Sequence, residues 1–331
     1  MSYLPLLDEV EMNRWIKALA ALSAATFLAA CGSDDDESQA PAAAPVSIAE
    51  TAQGAGLNAL VAAATKAGLV PTLSDPSQAL TVFAPSDAAF TSMATALGFA
   101  DAGAMVNALS ADDLAKILQY HVLAGRKTAA DLAAAGAVQP TLYSYSGSAA
   151  TLALNTSSGV TLTDAVLTQA TVTAADVTAT NGVVHLIDKV LVPPGVLNVV
   201  QMAQLNPAFS TLVGAVVSAD LAATLSGAGP FTVFAPTDTA FASIASTVAG
   251  LSESQLTTVL TYHVLADEVL AAEIPFGMAT PTVSGQSITI NMGTPPTITD
   301  RTPTAANIVA TDIRGSNGVI HVVDKVLIPN L

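Results

Sequence analysis

The chain has 331 residues, 51% of them hydrophobic but only 5% aromatic, with a formal net charge of −16 and a pI near 4.2. That length suits two domains of about 150 residues each, with cores built from Ala and β-branched side chains in place of large rings. An acidic surface with no local Lys/Arg cluster repels phosphate, which excludes nucleic acid and argues against anionic headgroups as partners.

The first 46 residues read as an address, not as fold. From Met12 the chain runs MNRWIKALAALSAATFLAAC: Arg14 and Lys17, an apolar run from Ala18 to Ala30, then Cys31. The run is short for a bilayer span and matches a secretory signal peptide. Asp8, Glu9 and Glu11 precede the basic stretch with the wrong charge for such a signal, so translation is expected to start at Met12. Leu28-Ala29-Ala30-Cys31 resembles the bacterial lipobox, whose cysteine is acylated and becomes the first mature residue; the alternative is an ordinary signal peptide with a chance cysteine. Cys31 is the sole cysteine, so no intrachain disulfide forms. Gly32 follows it, not Asp, which points to the outer membrane or cell surface, with the periplasm left open. The expected layout is a signal peptide over 1–30, a lipidated cysteine with a disordered acidic and Ala-Pro tether over 31–46, and domains over 47–194 and 195–331, divided at Pro193-Pro194-Gly195.

The two domains are copies. TVFAPSDAAF at Thr81–Phe90 returns as TVFAPTDTAF at Thr232–Phe241, YHVLA at Tyr120 returns at Tyr262, and NGVVHLIDKVLVP at Asn181 returns as NGVIHVVDKVLIP at Asn317. Each copy is expected to open on a helix, carried by Leu57, Leu60, Val61 and Ala64 or by Phe209, Leu212, Val213 and Val216. A strand follows at Leu80–Phe83 or Phe231–Phe234. Ser86 or Thr237 then caps a helix, whose dipole accounts for Asp87 or Asp238 in its first turn. About nine extra residues fall near Ala94–Leu109 of copy one and predict an added helix or loop there. The next helix starts at Ser110 or Ser252. Ser252 with Gln255 makes a capping box and Ser110 with Asp113 a looser one, since Asp is the shorter acid. Leu114, Ile117, Leu118 and His121 share one apolar face, as do Leu256, Val259, Leu260 and His263. Alternating segments Thr151–Leu154, Val160–Thr163, Ala170–Thr173, Ser287–Asn291 and Ile308–Thr311 read as strands. Asn181-Gly182 and Asn317-Gly318 predict tight turns at positive φ before a last Val/Ile-rich strand.

These three blocks, in order and in duplicate, resemble the fasciclin domain over about residues 47–331. The resemblance implies an α+β fold of two tandem wedges, each a β-sandwich of short strands with helices packed along one side. It also implies secreted or membrane-anchored proteins of adhesion and matrix contact. In animal relatives adhesion has been associated with the segment around the Tyr-His pair, which corresponds to Tyr120, His121, Tyr262 and His263 here.

For chemistry the residues offer little. The four histidines are His121, His185, His263 and His321. Within each copy they lie far apart, without the close spacing of zinc motifs, and a hydrogen-bonded core imidazole is the simpler reading for His121 and His263. Asn181, Gly182 and His185, with Asn317, Gly318 and His321, read as a structural motif. Of the duplicated carboxylates Asp87/Asp238, Asp131/Glu273, Asp176/Asp312 and Asp188/Asp324, the first pair is explained as a helix start, Asp176 and Asp312 as turn formers, and Asp188 and Asp324 lie beside Lys189 and Lys325; no GxSxG, P-loop or dinucleotide fingerprint occurs. No catalytic residue, metal or cofactor is expected. The reading is a non-enzymatic surface adhesion or interaction lipoprotein, held to the membrane through Cys31 and meeting a protein or glycan partner. The alternative is an envelope protein that binds a glycan, polymer or hydrophobic ligand.

Overall fold

The computed structural model describes residues 46–157 and 159–331. The signal-peptide reading, Cys31 and the tether up to residue 45 lie outside the described residues. Copy one contributes β1 (Leu80–Pro85), β2 (Val122–Ala124), β3 (Val138–Tyr145), β4 (Ser148–Asn155), β5 (Thr161–Thr163), β6 (Gln169–Ala179) and β7 (Gly182–Ile187), ordered β2-β1-β7-β6-β5-β4-β3. Copy two repeats the order with β8 (Phe231–Pro236), β9 (Val264–Leu265), β10 (Ala279–Pro281), β11 (Ser287–Asn291), β12 (Thr297–Thr299), β13 (Ala306–Arg314) and β14 (Gly318–Val323), as β9-β8-β14-β13-β12-β11-β10.

Only β1 with β7, and β8 with β14, run parallel; the other pairs are antiparallel. β6 and β13 each pass through two register shifts against their hairpin partners. Such bulges bend a strand, and the bent strand serves both halves of the sheet. The two halves of the expected sandwich are therefore one continuous, barrel-like sheet. Its inner face closes on Phe83, Tyr120, Leu152, Leu162, Ile187 and Leu191 in copy one, and on Phe234, Tyr262, Ile290, Ile298, Val323 and Leu327 in copy two.

Burial explains the strand sequences. β4 alternates buried Ala150, Leu152 and Leu154 with exposed neighbours, as a one-sided strand should. β1, β7, β8 and β14 are covered on both faces and read as near-continuous apolar runs. Their second face packs against helices: Leu60, Ala63, Leu114 and Leu118 lie in the same cluster as Val82, Ala84 and Val184. The expected helices form at Asn58–Lys66 and Ser210–Ser218, each preceded by a short helix, Ile48–Gly54 or Val199–Gln204, whose three or four buried residues are too few for a period to show. Ser86 and Thr237 cap as expected, accepting from the Ala89 and Ala240 N–H at 3.2 and 3.3 Å. At Ser252 the box is complete, with Gln255 reaching the Ser252 N–H at 2.9 Å. The shorter Asp113 reaches only the Ser110 hydroxyl, at 2.7 Å.

Two expectations change. The extra residues of copy one do not build an added helix: Asp87–Ala96 and Ala102–Ala108 have shorter counterparts, Asp238–Ala242 and Ala245–Ala249. The Asn-Gly dipeptides also play a different part from the one their sequence suggests. Ala179 pairs directly with Gly182, so the glycine is already the first residue of β7. Neither asparagine nor Gly182 takes a positive φ, although Gly318 has φ 154°. What demands glycine is the neighbouring strand. A Cβ on Gly182 would sit 2.3 Å from the Leu80 carbonyl oxygen and 2.6 Å from Ile48 Cδ1, and one on Gly318 would sit 2.1 Å from the Phe231 oxygen. Gly182→Ala and Gly318→Ala are each expected to cost about 1–3 kcal/mol through this overpacking, read as a lower urea midpoint at unchanged slope. An unaltered midpoint would contradict the close approach.

Candidate functional site

The duplicated motif assembles around Asn181 and Asn317. Asn181 is buried, at 0% exposure, and Asn317 is half-buried. The Asn181 Oδ1 accepts from the Ile48 N–H at 2.9 Å, the first turn of the opening helix, and its Nδ2 donates to the Leu73 and Asp75 carbonyls at 2.9 and 3.1 Å. Asn317 repeats this with the Val199 N–H at 2.9 Å and the Leu225 and Gly227 carbonyls at 2.9 and 2.7 Å. One amide thus satisfies a free helix N–H and two helix-end carbonyls, binding the opening helices to the last hairpin.

The histidines are bolts of the same kind. Nδ1 of His121 donates to the Ile117 carbonyl at 2.8 Å, and Nε2 accepts from the Leu191 N–H at 2.9 Å. His263 does the same with Val259 at 2.7 Å and Leu327 at 2.8 Å. Both rings are buried, at 1% and 2% exposure. An imidazole that accepts at Nε2 must be neutral there, and both pKa values fall to about 4. Burial is the chief cause, opposed by the helix carbonyl in each case. His185 and His321 use the other tautomer. Their Nε2 donates to the Lys127 and Val269 carbonyls at 2.9 and 2.8 Å, and Nδ1 accepts from the Asp176 and Asp312 N–H at 3.2 and 3.3 Å. Burial lowers the His321 pKa too.

The carboxylates have structural partners throughout. Asp87 and Asp238 stand in the first turns of their own helices, as their spacing suggests, but each also caps a different helix. Asp87 Oδ1 accepts from the Ala59 N–H and Asp238 Oδ1 from the Thr211 N–H, both at 2.8 Å. Asp176 and Asp312 are not turn formers. They occupy the bulges of β6 and β13 at φ 60° and 62°, and accept from the Ala129 and Ala271 N–H at 2.8 and 2.9 Å. Asp188 and Asp324 accept from the Thr171 and Asn307 N–H, both at 2.7 Å.

One pair escaped sequence reasoning. Lys189 and Lys325 bind not their adjacent aspartates but the buried Asp164 and Asp300, the latter at 2.7 Å. Asp164 also accepts from the Val166, Thr168 and Val192 N–H groups. Burial raises the Asp300 pKa, but Lys325, the Thr302 hydroxyl and the Ile328 N–H outweigh it and hold the group below its ordinary value. The signal that could have found the pair is the copied Asp-x-[VT]-x-Thr loop, Asp164–Thr168 against Asp300–Thr304, which is too divergent to align by eye.

Tyr120 and Tyr262 lie beside the histidines in sequence and are equally buried, at 1% and 3%. Their hydroxyls donate to the Thr151 and Ser287 carbonyls at 2.9 and 3.1 Å, and burial raises both pKa values. None of the four Tyr-His side chains therefore presents itself to a partner. Where copy one meets copy two, the Gly195 N–H donates to the Arg314 carbonyl at 2.8 Å, the Asn206 Nδ2 donates to the Val166 carbonyl at 2.9 Å, and the Arg314 guanidinium lies 6.0 Å from the Tyr145 ring centroid. Among the described residues no three His, Cys, Asp or Glu side chains gather as metal ligands, and no helix is long and apolar enough to cross a membrane.

A bent seven-stranded sheet locked by an Asn-Gly strand start, with helices on its second face and built twice, defines a class of tandem module. The Fasciclin domain family model matches residues 55–193 and 207–329, and the chain belongs to that family. Protein sll1483 of Synechocystis sp. is 39% identical over 138 residues, spanning 40% of this chain and 74% of that protein. Transforming growth factor-beta-induced protein ig-h3 of Sus scrofa is 33% identical over 155 residues, 46% of this chain but 22% of that one. A solved FAS1 domain pair from the insect cell adhesion molecule fasciclin I aligns with a TM-score of 0.42 and 20% identity, over 84% of this chain and 94% of its own.

Two predictions follow from this geometry. Asn181→Ala or Asn317→Ala strands an N–H and two carbonyls and is expected to cost about 3 kcal/mol or more, measured by denaturant unfolding; a loss below 1 kcal/mol would rule the clamp out. For pH, the unfolded histidines take up protons below their ordinary pKa of 6.5, whereas folded His121 and His263 do so only near 4. Their contribution is present above pH 6.5 and is lost as pH falls toward 4. By pH 5 each should have given up about 2 kcal/mol, so thermal midpoints should drop between pH 7.5 and 5. A flat profile over that range would contradict the neutral bolts.

Proposed function

We propose that this chain is a non-enzymatic adhesion or interaction lipoprotein of the cell envelope. It is exported, acylated at Cys31, and presents two fasciclin domains to a protein or glycan partner from the outer membrane or cell surface. The observation that carries this reading is the pair of fasciclin domains. The duplicated polar groups support it from the other side: the Asn, His and Asp side chains that might have done chemistry are committed to helix ends and strand starts. Two modules on one anchor raise the effective concentration of the second contact once the first is made. With Tyr120, His121, Tyr262 and His263 buried, contact falls to exposed loops that differ between the copies. Met278 and Met292, 63% and 79% exposed, flank the β10–β11 hairpin of copy two and offer an adaptable apolar contact.

The test is attachment by a strain lacking the gene and complemented with wild type or Cys31→Ala. Wild type is expected to restore cell–cell aggregation or surface binding, and the exported, folded but unacylated form is expected to fail. Attachment that is indifferent to deletion would overturn the adhesion reading.

A further inference from the structure

The two copies differ in an interior space that neither the motif nor the adhesion reading uses. In copy one a cavity of about 350 Å³ opens between the first three helices and β1. Its counterpart in copy two holds about 40 Å³. Every residue lining the small cavity has a counterpart in the large one; at three of these positions copy two carries the bulkier side chain, and at one, Ile48 against Val199, copy one does. Ala49, Ala64 and Val184 line the large cavity, while Val200, Val216 and Ile320 line the small one. The shared hydrogen bonds fix the correspondence: Ile48 and Val199 both donate to the clamp asparagine, Ala59 and Thr211 both donate to the capping aspartate, and Val184 and Ile320 pair with Val82 and Val233. Each substitution adds one or two carbons, all directed at one volume. Copy two is thus packed as a core should be, whereas copy one keeps a space that apolar packing ordinarily closes.

The lining says what fits. A volume of this size lies within the range of small-molecule pockets, which are mainly apolar with a few polar groups, and apolar cavities stay dry until an apolar guest enters. Leu60, Leu69, Val82 and Leu118 supply apolar wall, and no Asp, Glu, Lys or Arg lines it. His121 also lines it, but both its ring nitrogens are already engaged. Where the lining reaches solvent it presents Gln53 and Thr72, both exposed, and half-buried Gln119. Amide and hydroxyl groups match a hydroxyl or carbonyl head, while a carboxylate or phosphate would enter without a counter-charge on a chain of net charge −16. We infer that copy one is a binding site for an uncharged hydrocarbon-chain amphiphile, such as a long-chain alcohol, and that copy two is not.

The test uses the full chain, freed of co-purified lipid, titrated with the uncharged fluorophore N-phenyl-1-naphthylamine. Saturable uptake near one equivalent is expected, displaced at least tenfold more readily by 1-hexadecanol than by hexadecanoate. Filling the space as copy two does, with Ala49→Val and Ala64→Val together, should weaken uptake at least tenfold without lowering the thermal midpoint. If the double variant fails to fold, Ala64→Val alone should still weaken uptake. Absence of saturable uptake by the folded wild type, or undiminished uptake by a folded filled variant, would overturn the site. Equal displacement by the carboxylate would overturn the uncharged class.

Discussion

Each domain depends on a parallel contact between its first long strand and its last, β1 with β7 and β8 with β14. Parallel neighbours cannot be joined by a tight turn, and here nearly the whole domain intervenes between them. Closing so long a loop carries an entropic cost that only dense local interaction can offset. The motif supplies it at one end of the pair. Glycine lets the strand backbones meet without a Cβ between them, and the adjoining asparagine fastens the opening helix and a second helix end to the same point. At the other end the segment that follows the last strand reaches Leu191 or Leu327, whose N–H is held by the helix histidine.

The half-buried Lys189–Asp164 and Lys325–Asp300 pairs, whose carboxylates are out of solvent, extend this logic beyond β7 and β14. A desolvated ion pair contributes little net stability by itself, but removing one partner is costly because the other charge is left alone. Each aspartate also collects backbone N–H groups from two loops. The charge therefore sets how the segment after the final strand lies against the sheet. In copy one that segment leads into Gly195, where a Cβ would meet the Tyr145 ring at 2.1 Å. Bolt, ion pair and seam follow one another along a few residues, and the same few residues pass from one domain to the next.

Much of this was legible in sequence where the cause is local. Ser86, Thr237 and Ser252 announce their helices because a cap acts within three residues. β1 and β7 announce themselves because a strand covered on both faces reads as a near-continuous apolar run. The repeat itself marked which residues mattered. What stayed hidden acts at a distance. Nothing near Asp87 says that its carboxylate caps the start of the helix Asn58–Lys66, and nothing near Asn181 says that its partners are Ile48 and Leu73. Bulges hide as well: Asp176 sits mid-strand in a left-handed conformation, which its neighbours in sequence disguise as a turn. The Tyr-His pair illustrates the same limit, since its burial comes from β4 or β11 and from the segment after β7 or β14. Part of the difference between the two cavities was written in three small substitutions, but only the fold shows that they face one space.

The account's central claim is that the asparagine clamp makes the opening helices part of the same cooperative unit as the sheet. Native-state hydrogen exchange at the Ile48 and Val199 amides tests it most directly, with Leu191 and Leu327 as core references. If the clamp holds as described, all four exchange only through global unfolding and respond alike to denaturant. If Ile48 and Val199 exchange freely while the references stay protected, the helices open on their own, and the clamp does not bind the domain together.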